Sequence, residues 1–400
     1  MNKLLKKVYH VITLDLLFPF QYARYKRRPL QERKIVFIEA NLPELSNSLR
    51  YLYDRIGEEG GYVRKVHCLR EAFAGKGTYI RNALACLKDM ATARYIFLCE
   101  GSRLVGCIRP RKETAIVQVW HGCGAFKRFG FSTSELLFGG DRKENLRYSY
   151  YKNYDLVTVS SPEVVWAYRE AMNLPPDSQI IQPLGNSRTD VFFQEKFVLE
   201  ARARVLKAAP QAEGKKVILY APTFRGSVGG AKAPDQLDLS AMKEALGKDY
   251  VLLIKHHPVI KKRPELSKEV KGFAFDVSDT CTIEDLICIS DLCISDYSSL
   301  IYEYSLMDRP MIFFAYDLEE YGDWRGFYYD YEELTPGPVV RTTKELLSVI
   351  EEDRFDLERI RAFREKFMSA CDGHATERLL TYIGILDSQE NQNMQKNKEV

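Results

Sequence analysis

The chain has 400 residues, 46% of them hydrophobic and 28% charged, with a formal net charge of +3. That length allows two domains of ordinary size, each burying its own core, and the composition is that of a folded globular protein. So small a net charge gives no case for nucleic acid as a partner. The nine cysteines are odd in number, scattered and without metal-ligand spacing, which argues against a disulfide framework and for reduced thiols in the cytosol.

Residues 1–33 carry Lys3, Lys6 and Lys7, then the apolar run Val8 to Phe20, then a dense basic cluster from Arg24 to Lys34. Asp15 interrupts the run and no small-residue cleavage site follows, so it is not a signal peptide. It is also too short to span a bilayer. The pattern predicts a helix lying on an anionic membrane surface; the competing reading is a packed helix with a solvated basic face.

Beyond it, short apolar strands alternate with helical stretches. Strands are expected at Lys34–Ala40, Tyr62–Cys68, Arg94–Cys99, Ala115–Trp120, Leu156–Ser160 and Gln179–Pro183, with helices at Leu45–Arg55, Tyr79–Met90 and Pro162–Met172. A charged helix is expected over Val191–Ala209. The strand pattern then restarts at Lys216–Tyr220, Tyr250–Lys255, Leu292–Ser295 and Met311–Ala315. Helices are expected at Leu239–Leu246, Thr282–Ile289, Ser298–Met307 and Lys344–Glu351, and a long one over Asp353–Ile385. Two successive βα runs imply an α/β protein of two Rossmann-like domains facing a cleft, residues 34–195 and 196–386, the second ending in a returning helix. This is the GT-B plan of two-Rossmann glycosyltransferases. Residues 387–400 form a polar tail expected to be disordered.

Four turns at strand ends carry groups suited to chemistry. In Trp120-His121-Gly122 an imidazole stands at a strand's carboxyl end, where open α/β sheets bind ligands and where a histidine can exchange a proton near neutral pH. The turn Ala221-Pro222-Thr223-Phe224-Arg225 delivers a hydroxyl and a guanidinium, a planar partner for phosphate. In Lys255-His256-His257-Pro258 the two imidazoles point to opposite faces of a strand and cannot easily share one metal ion. The proline there marks His257 as the one held in a fixed loop. In Ser295-Asp296-Tyr297-Ser298-Ser299 a strand runs into a helix whose first N–H groups and hydroxyls suit a phosphate, although Asp296 or Ser298 would also serve as a helix cap. Glu303, one turn on, is placed to reach ribose hydroxyls unless it is simply a helix-surface carboxylate.

Taken in this order, these turns resemble those of the CDP-glycerol glycerophosphotransferase family of teichoic acid synthesis. The segments Leu184-Gly185-Asn186-Ser187-Arg188-Thr189-Asp190, Phe313 to Tyr321 and Arg325-Gly326-Phe327-Tyr328 are similar to further motifs of that family, so that the resemblance covers roughly residues 34–385. It implies transfer of an alditol phosphate from CDP-glycerol or CDP-ribitol to a hydroxyl of an undecaprenyl-linked acceptor, at the cytoplasmic face of the bacterial membrane. His121 is implied as general base on the acceptor. His257 is implied near the pyrophosphate, with Thr223, Arg225, Lys255, Asp296, Ser298, Ser299, Glu303 and Asp317 on the donor side. Trp120, Gly122 and Lys127 fall on the acceptor side. The run Cys123-Gly124-Ala125-Phe126-Lys127 looks more like ribitol-phosphate transferring relatives, and Ser187 stands where the family often has proline. No Asp-x-Asp is present to hold a diphosphate through a metal, so no metal and no cofactor are expected. A homo-oligomer is compatible with this reading. The alternatives are a glycosyltransferase of the same architecture using a nucleotide sugar, and a catalytically inactive membrane scaffold.

Overall fold

The computed structural model describes residues 3–70, 76–137, 139–226, 230–260 and 262–387; of the expected tail, residues 388–400 lie outside the described residues. It contains two six-stranded sheets in which every pairing is parallel. The first is formed by β1 (Gln31–Glu39), β2 (Val63–Cys68), β3 (Ala93–Leu98), β4 (Ala115–Gln118), β5 (Leu156–Thr158) and β6 (Ile181–Gln182), in the order β2-β1-β3-β4-β5-β6. The second is formed by β7 (Lys216–Tyr220), β8 (Tyr250–Ile254), β9 (Ala274–Asp276), β10 (Leu292–Ser295), β11 (Met311–Phe314) and β12 (Val339–Val340), in the order β12-β11-β10-β7-β8-β9.

The strands read as continuous apolar runs because helices cover both faces of each sheet. One core cluster, with Ile35, Phe37, Phe97 and Val117, fills one face of the first sheet, and another, with Ile218, Leu252, Ile294 and Ile312, fills one face of the second. The largest cluster runs from the first sheet into the second through Phe126, Tyr297, Tyr302 and Tyr331. In each sheet the order reverses at one point, between β1 and β3 in the first and between β7 and β10 in the second. The loops leaving strands on either side of such a reversal diverge and leave a crevice.

Two expectations need correction. The stretch 353–385 is not one helix but two, Leu357–Met368 and Ala375–Tyr382, separated at Gly373, whose φ of 88° is left-handed. The break turns the chain back, so that Leu379, Leu380, Ile385 and Leu386 join the core of the first sheet. Asp190 fixes the returning helix by accepting the N–H groups of Ala375 (3.0 Å) and Thr376 (2.8 Å) at its start. The strands β9 and β12, three and two residues long, were not expected.

The N-terminal arm is helical in three consecutive segments, Lys3–His10, a π-helical Val11–Leu17 and Phe18–Tyr25. Pro19 lacks the N–H that would continue the α-helical ladder, which accounts for the wider turn before it. Leu14, Phe18 and Tyr22 enter the large core cluster, and Asp15 pairs with Arg147 (2.7 Å) and Tyr148 (2.8 Å). The opposite face leaves Leu4, Leu5, Val8, Ile12, Leu16 and Phe20 between 48% and 67% exposed. Among the described residues no helix is long and apolar enough to cross a membrane.

Candidate active site

β4 ends at Gln118, and two residues later Trp120 adopts a left-handed backbone with φ of 57°. That conformation costs a non-glycine residue about 1–2 kcal/mol, and several contacts hold it. The Trp120 N–H donates to the buried Gln118 Oε1 (2.9 Å), and its indole is enclosed by Phe129 (5.0 Å) and Tyr168 (5.8 Å). Trp120 is therefore a buried support on which the His121 ring stacks at 4.8 Å, and not an exposed contact for an acceptor.

The His121 side chain is 46% exposed. Its Nδ1 lies 3.1 Å from the Cys99 carbonyl and 3.3 Å from Glu100 Oε1. A carbonyl only accepts, so Nδ1 carries the proton and Nε2 is left as the basic nitrogen. Arg188 donates to the His121 carbonyl (2.7 Å) and to Glu284 (2.8 Å) of the helix Ile283–Ile289 in the second sheet's half. The turn is thus tied to both halves of the molecule.

The loop after His121 lies directly against the second sheet. A Cβ on Gly122 would sit 3.4 Å from Ser299 Oγ, whereas one on Gly124 would fall 2.2 Å from the Tyr302 ring. With φ of 65° as well, Gly124 is the position where only glycine fits. Lys127 forms an antiparallel bridge with Phe327, flanked by hydrogen bonds from the Tyr328 N–H to the Phe126 carbonyl (3.1 Å) and from the Arg128 N–H to the Gly326 carbonyl (3.0 Å).

This bridge carries the Lys127 side chain to the second sheet rather than to the side of His121. Its ammonium lies 3.5 Å from the Tyr321 hydroxyl and makes no ion pair among the described residues. Burial, with the charges of Arg325 and Arg225 outweighing that of Asp296, pushes its pKa down to about 7. The pKa of Arg325, the last residue of the helix Leu318–Arg325, is lowered by burial.

His256 and His257 divide as their position after β8 predicts. His256 is buried, its N–H donating to Ser278 Oγ (2.9 Å), while His257 is exposed beside Phe224, with ring centroids 5.1 Å apart. The surrounding protein and the Lys127 charge hold the His257 pKa below the ordinary imidazole value. Its Nδ1 accepts the Val259 N–H (3.2 Å), so the neutral ring offers Nε2–H as a donor.

Several residues expected to bind phosphate are already engaged by the protein. Arg225 binds Asp317 through Nε (2.5 Å) and Nη2 (2.9 Å), and Asp296 and the Thr223 hydroxyl through Nη1 (2.9 and 3.0 Å). Its guanidinium also lies over the Tyr297, Tyr316 and Tyr321 rings. The buried Asp296 accepts the Thr223 N–H (2.9 Å) and hydroxyl (2.9 Å) and its neighbour Tyr297's N–H (2.6 Å), while the Tyr297 hydroxyl donates to Asp317 (2.8 Å). These residues lock together the loops that flank the strand reversal between β7 and β10. The Lys255 ammonium is held by the Ser278 carbonyl (2.7 Å) and the Cys281 carbonyl (2.5 Å). Ser298 Oγ accepts the N–H of Leu300 (3.2 Å), the first residue of the helix Leu300–Ser305.

Glu303 does not lie on the helix surface. It is 3% exposed, accepts the Cys123 N–H, and its pKa is raised by burial against the opposing charge of Arg188. Two residues of the site carry signals the sequence reading did not weigh. Glu100 follows β3 before Gly101, as His121 follows β4 before Gly122. Arg325 opens the segment Arg325-Gly326-Phe327-Tyr328, which resembles a motif of the family.

The sequence model of the family described as CDP-glycerol:poly(glycerophosphate) glycerophosphotransferase matches residues 20–384. The chain is 35% identical over 362 residues to the teichoic acid ribitol-phosphate primase of Bacillus spizizenii, covering 89% of this chain and 92% of that protein. It is 27% identical over 337 residues to the teichoic acid glycerol-phosphate primase of Bacillus subtilis, covering 82% and 84% respectively. The solved structure of the wall teichoic acid polymerase TagF matches with a TM-score of 0.75 at 24% identity, covering 96% of this chain and 97% of that one, which establishes a common fold. The chain belongs to the CDP-glycerol:poly(glycerophosphate) glycerophosphotransferase family.

Proposed function

We propose that the protein transfers an alditol phosphate from a CDP-alditol to a hydroxyl of a lipid-linked teichoic acid acceptor, releasing CMP, in a GT-B cleft between its two sheets. The observation that carries this reading is the junction itself. The basic Nε2 of His121 stands on a turn packed against Ser299, and the loop continuing from that turn brings the Lys127 ammonium within electrostatic reach of His257 and Arg325. A base next to a set of cations and neutral donors is what phosphoryl transfer to an alcohol requires.

In the reaction, the acceptor oxygen attacks the β-phosphorus of the donor while its proton passes to His121 Nε2. The bond from that phosphorus to the bridging oxygen breaks, and CMP leaves with the electron pair. Lys127 and Arg325 neutralise the charge on the phosphoryl oxygens, and His257 donates Nε2–H to the departing phosphate. Ser299 offers a hydroxyl at the same place. Arg225, Asp296 and Asp317 act by holding the loops that present these groups.

Among donors we favour CDP-ribitol. This is supported by the Cys123 to Lys127 run and by 34–35% identity to a ribitol-phosphate primase and to two ribitol-phosphate polymerases of Staphylococcus aureus, with a further ribitol-phosphate polymerase at 32%, against 27–32% for the glycerol-phosphate enzymes. Those two polymerases are longer, the chain spanning 68% and 61% of their length. The exposed apolar stripe of the arm, with Lys6, Lys7 and the basic cluster after it, suits attachment to the cytoplasmic leaflet where a lipid-linked acceptor would lie. A panel of CDP-ribitol, CDP-glycerol and UDP-sugars with a lipid-linked acceptor tests the assignment. CMP release supports it, and UDP release from a UDP-sugar with the CDP-alditols inert overturns it.

A further inference from the structure

The carboxyl end of β3 lies beside that of β4, so the residues leaving β3 stand next to the His121 turn. Here Cys99 supplies its carbonyl and Glu100 its carboxylate to the same atom, His121 Nδ1, at 3.1 and 3.3 Å. The position of Glu100 is built rather than incidental. The side chain of Gln118, fully buried, donates to the Glu100 carbonyl (3.0 Å) and accepts the Trp120 N–H (2.9 Å). One amide therefore fixes the backbone of Glu100 and the left-handed turn that presents His121. The Glu100 carboxylate is 29% exposed, and among the described residues the His121 ring is its one ion-pair partner.

We propose that Glu100 is a positioning residue of His121, favouring, beside the Cys99 carbonyl, the Nδ1-protonated ring whose Nε2 faces the acceptor hydroxyl, and stabilising the ring once it has taken the proton. The proposal rests on the reading of His121 as general base. No proton reaches Glu100: the acceptor proton ends on Nε2, Nδ1 keeps its own, and the carboxylate faces a ring that has become cationic. A histidine oriented by a carboxylate is a recurrent solution for a base that must work in one tautomer. Burial raises the Glu100 pKa, the charge of His121 lowers it, and Glu39 on β1 raises it again. The other ionisable groups at the pair are the Cys99 thiol, Tyr151, whose hydroxyl feels Glu100, and Arg188, which holds the His121 carbonyl.

The test compares the full chain with Glu100→Gln, Glu100→Asp and His121→Ala, measuring CMP release against pH. Glu100→Gln keeps the shape and removes the charge. It is expected to lower kcat about tenfold to a hundredfold, a part of what a general base supplies, with the donor KM unchanged. The acidic limb of the profile should move down, because the protonated ring has lost its counter-charge. Glu100→Asp should leave the limb in place. A fall in kcat with an unmoved limb would make Glu100 a purely structural residue, and an unchanged enzyme would give it no role. In both cases loss of turnover in His121→Ala would leave the base assignment standing. Retention of turnover and of the same limb in His121→Ala would instead remove the base assignment, and this proposal with it.

Discussion

Arg225 and Asp317 form a two-pronged ion pair, Nε to Oδ2 at 2.5 Å and Nη2 to Oδ1 at 2.9 Å, while the remaining edge of the guanidinium is held by Asp296 and Thr223. An arginine so engaged organises loops before it binds a substrate. Arg225→Ala would leave two carboxylates without their cation, one of them buried, and should destabilise the protein by about 3–5 kcal/mol, read from urea unfolding. Unaltered stability with a greatly raised donor KM would put the guanidinium on the phosphates instead.

Lys127 gives a prediction with a definite sign. In an unfolded chain lysine keeps its proton to about pH 10, whereas here it titrates near pH 7. Between those values folding releases a proton, so stability falls as pH falls from about 10 toward 7. Lys127→Met should therefore stabilise the protein by about 1 kcal/mol at pH 7–8, with no gain above about pH 10, while losing turnover. In the wild type the donor KM should rise as pH increases through 7 and the ammonium is lost, and Lys127→Arg should flatten that rise. Loss of stability in Lys127→Met at pH 7–8 would show that the side chain is structural.

The arm makes a prediction about surfaces. Leu4, Ile12, Leu16 and Phe20 are 52–67% exposed, so replacing them with serine should leave unfolding unchanged. Sedimentation with vesicles rich in anionic lipid should fall sharply for that variant, and wild-type binding should weaken with salt. Equal sedimentation of the two proteins would dismiss the stripe as a docking face.

Charge on the transferring group is met in this account by Lys127, Arg325 and the His257 donor. Treatment with EDTA followed by desalting should thus leave CMP release intact. Loss of turnover that magnesium restores would assign that charge to a metal.

The sequence made the strands legible wherever an apolar run ended in a glycine, proline or serine turn, and the turns at residues 121, 223, 257 and 296 proved to be strand ends. Strands as short as Ala274–Asp276 and Val339–Val340 carry too few residues for a period to register. The break at Gly373 was hidden because the segments on both sides are good helix formers, and only the return to the first sheet requires a left-handed residue there. The partners of side chains were the least legible. Nothing in the turn containing Arg225 indicates that carboxylates 71 and 92 residues further on converge on it, nor that Glu303 faces inward to Cys123. The placement of the Lys127 side chain was hidden for the same reason: its bridge to Phe327 is a contact 200 residues away in the chain.

The central claim is that His121 serves the acceptor and not the donor, and His121→Ala tests it most directly when CMP release and calorimetric binding of CDP-ribitol are measured on the same preparation. The account predicts a loss of turnover of about a hundred- to ten-thousand-fold with the donor affinity retained. Loss of donor binding in parallel with turnover, or turnover that survives the substitution, would contradict it.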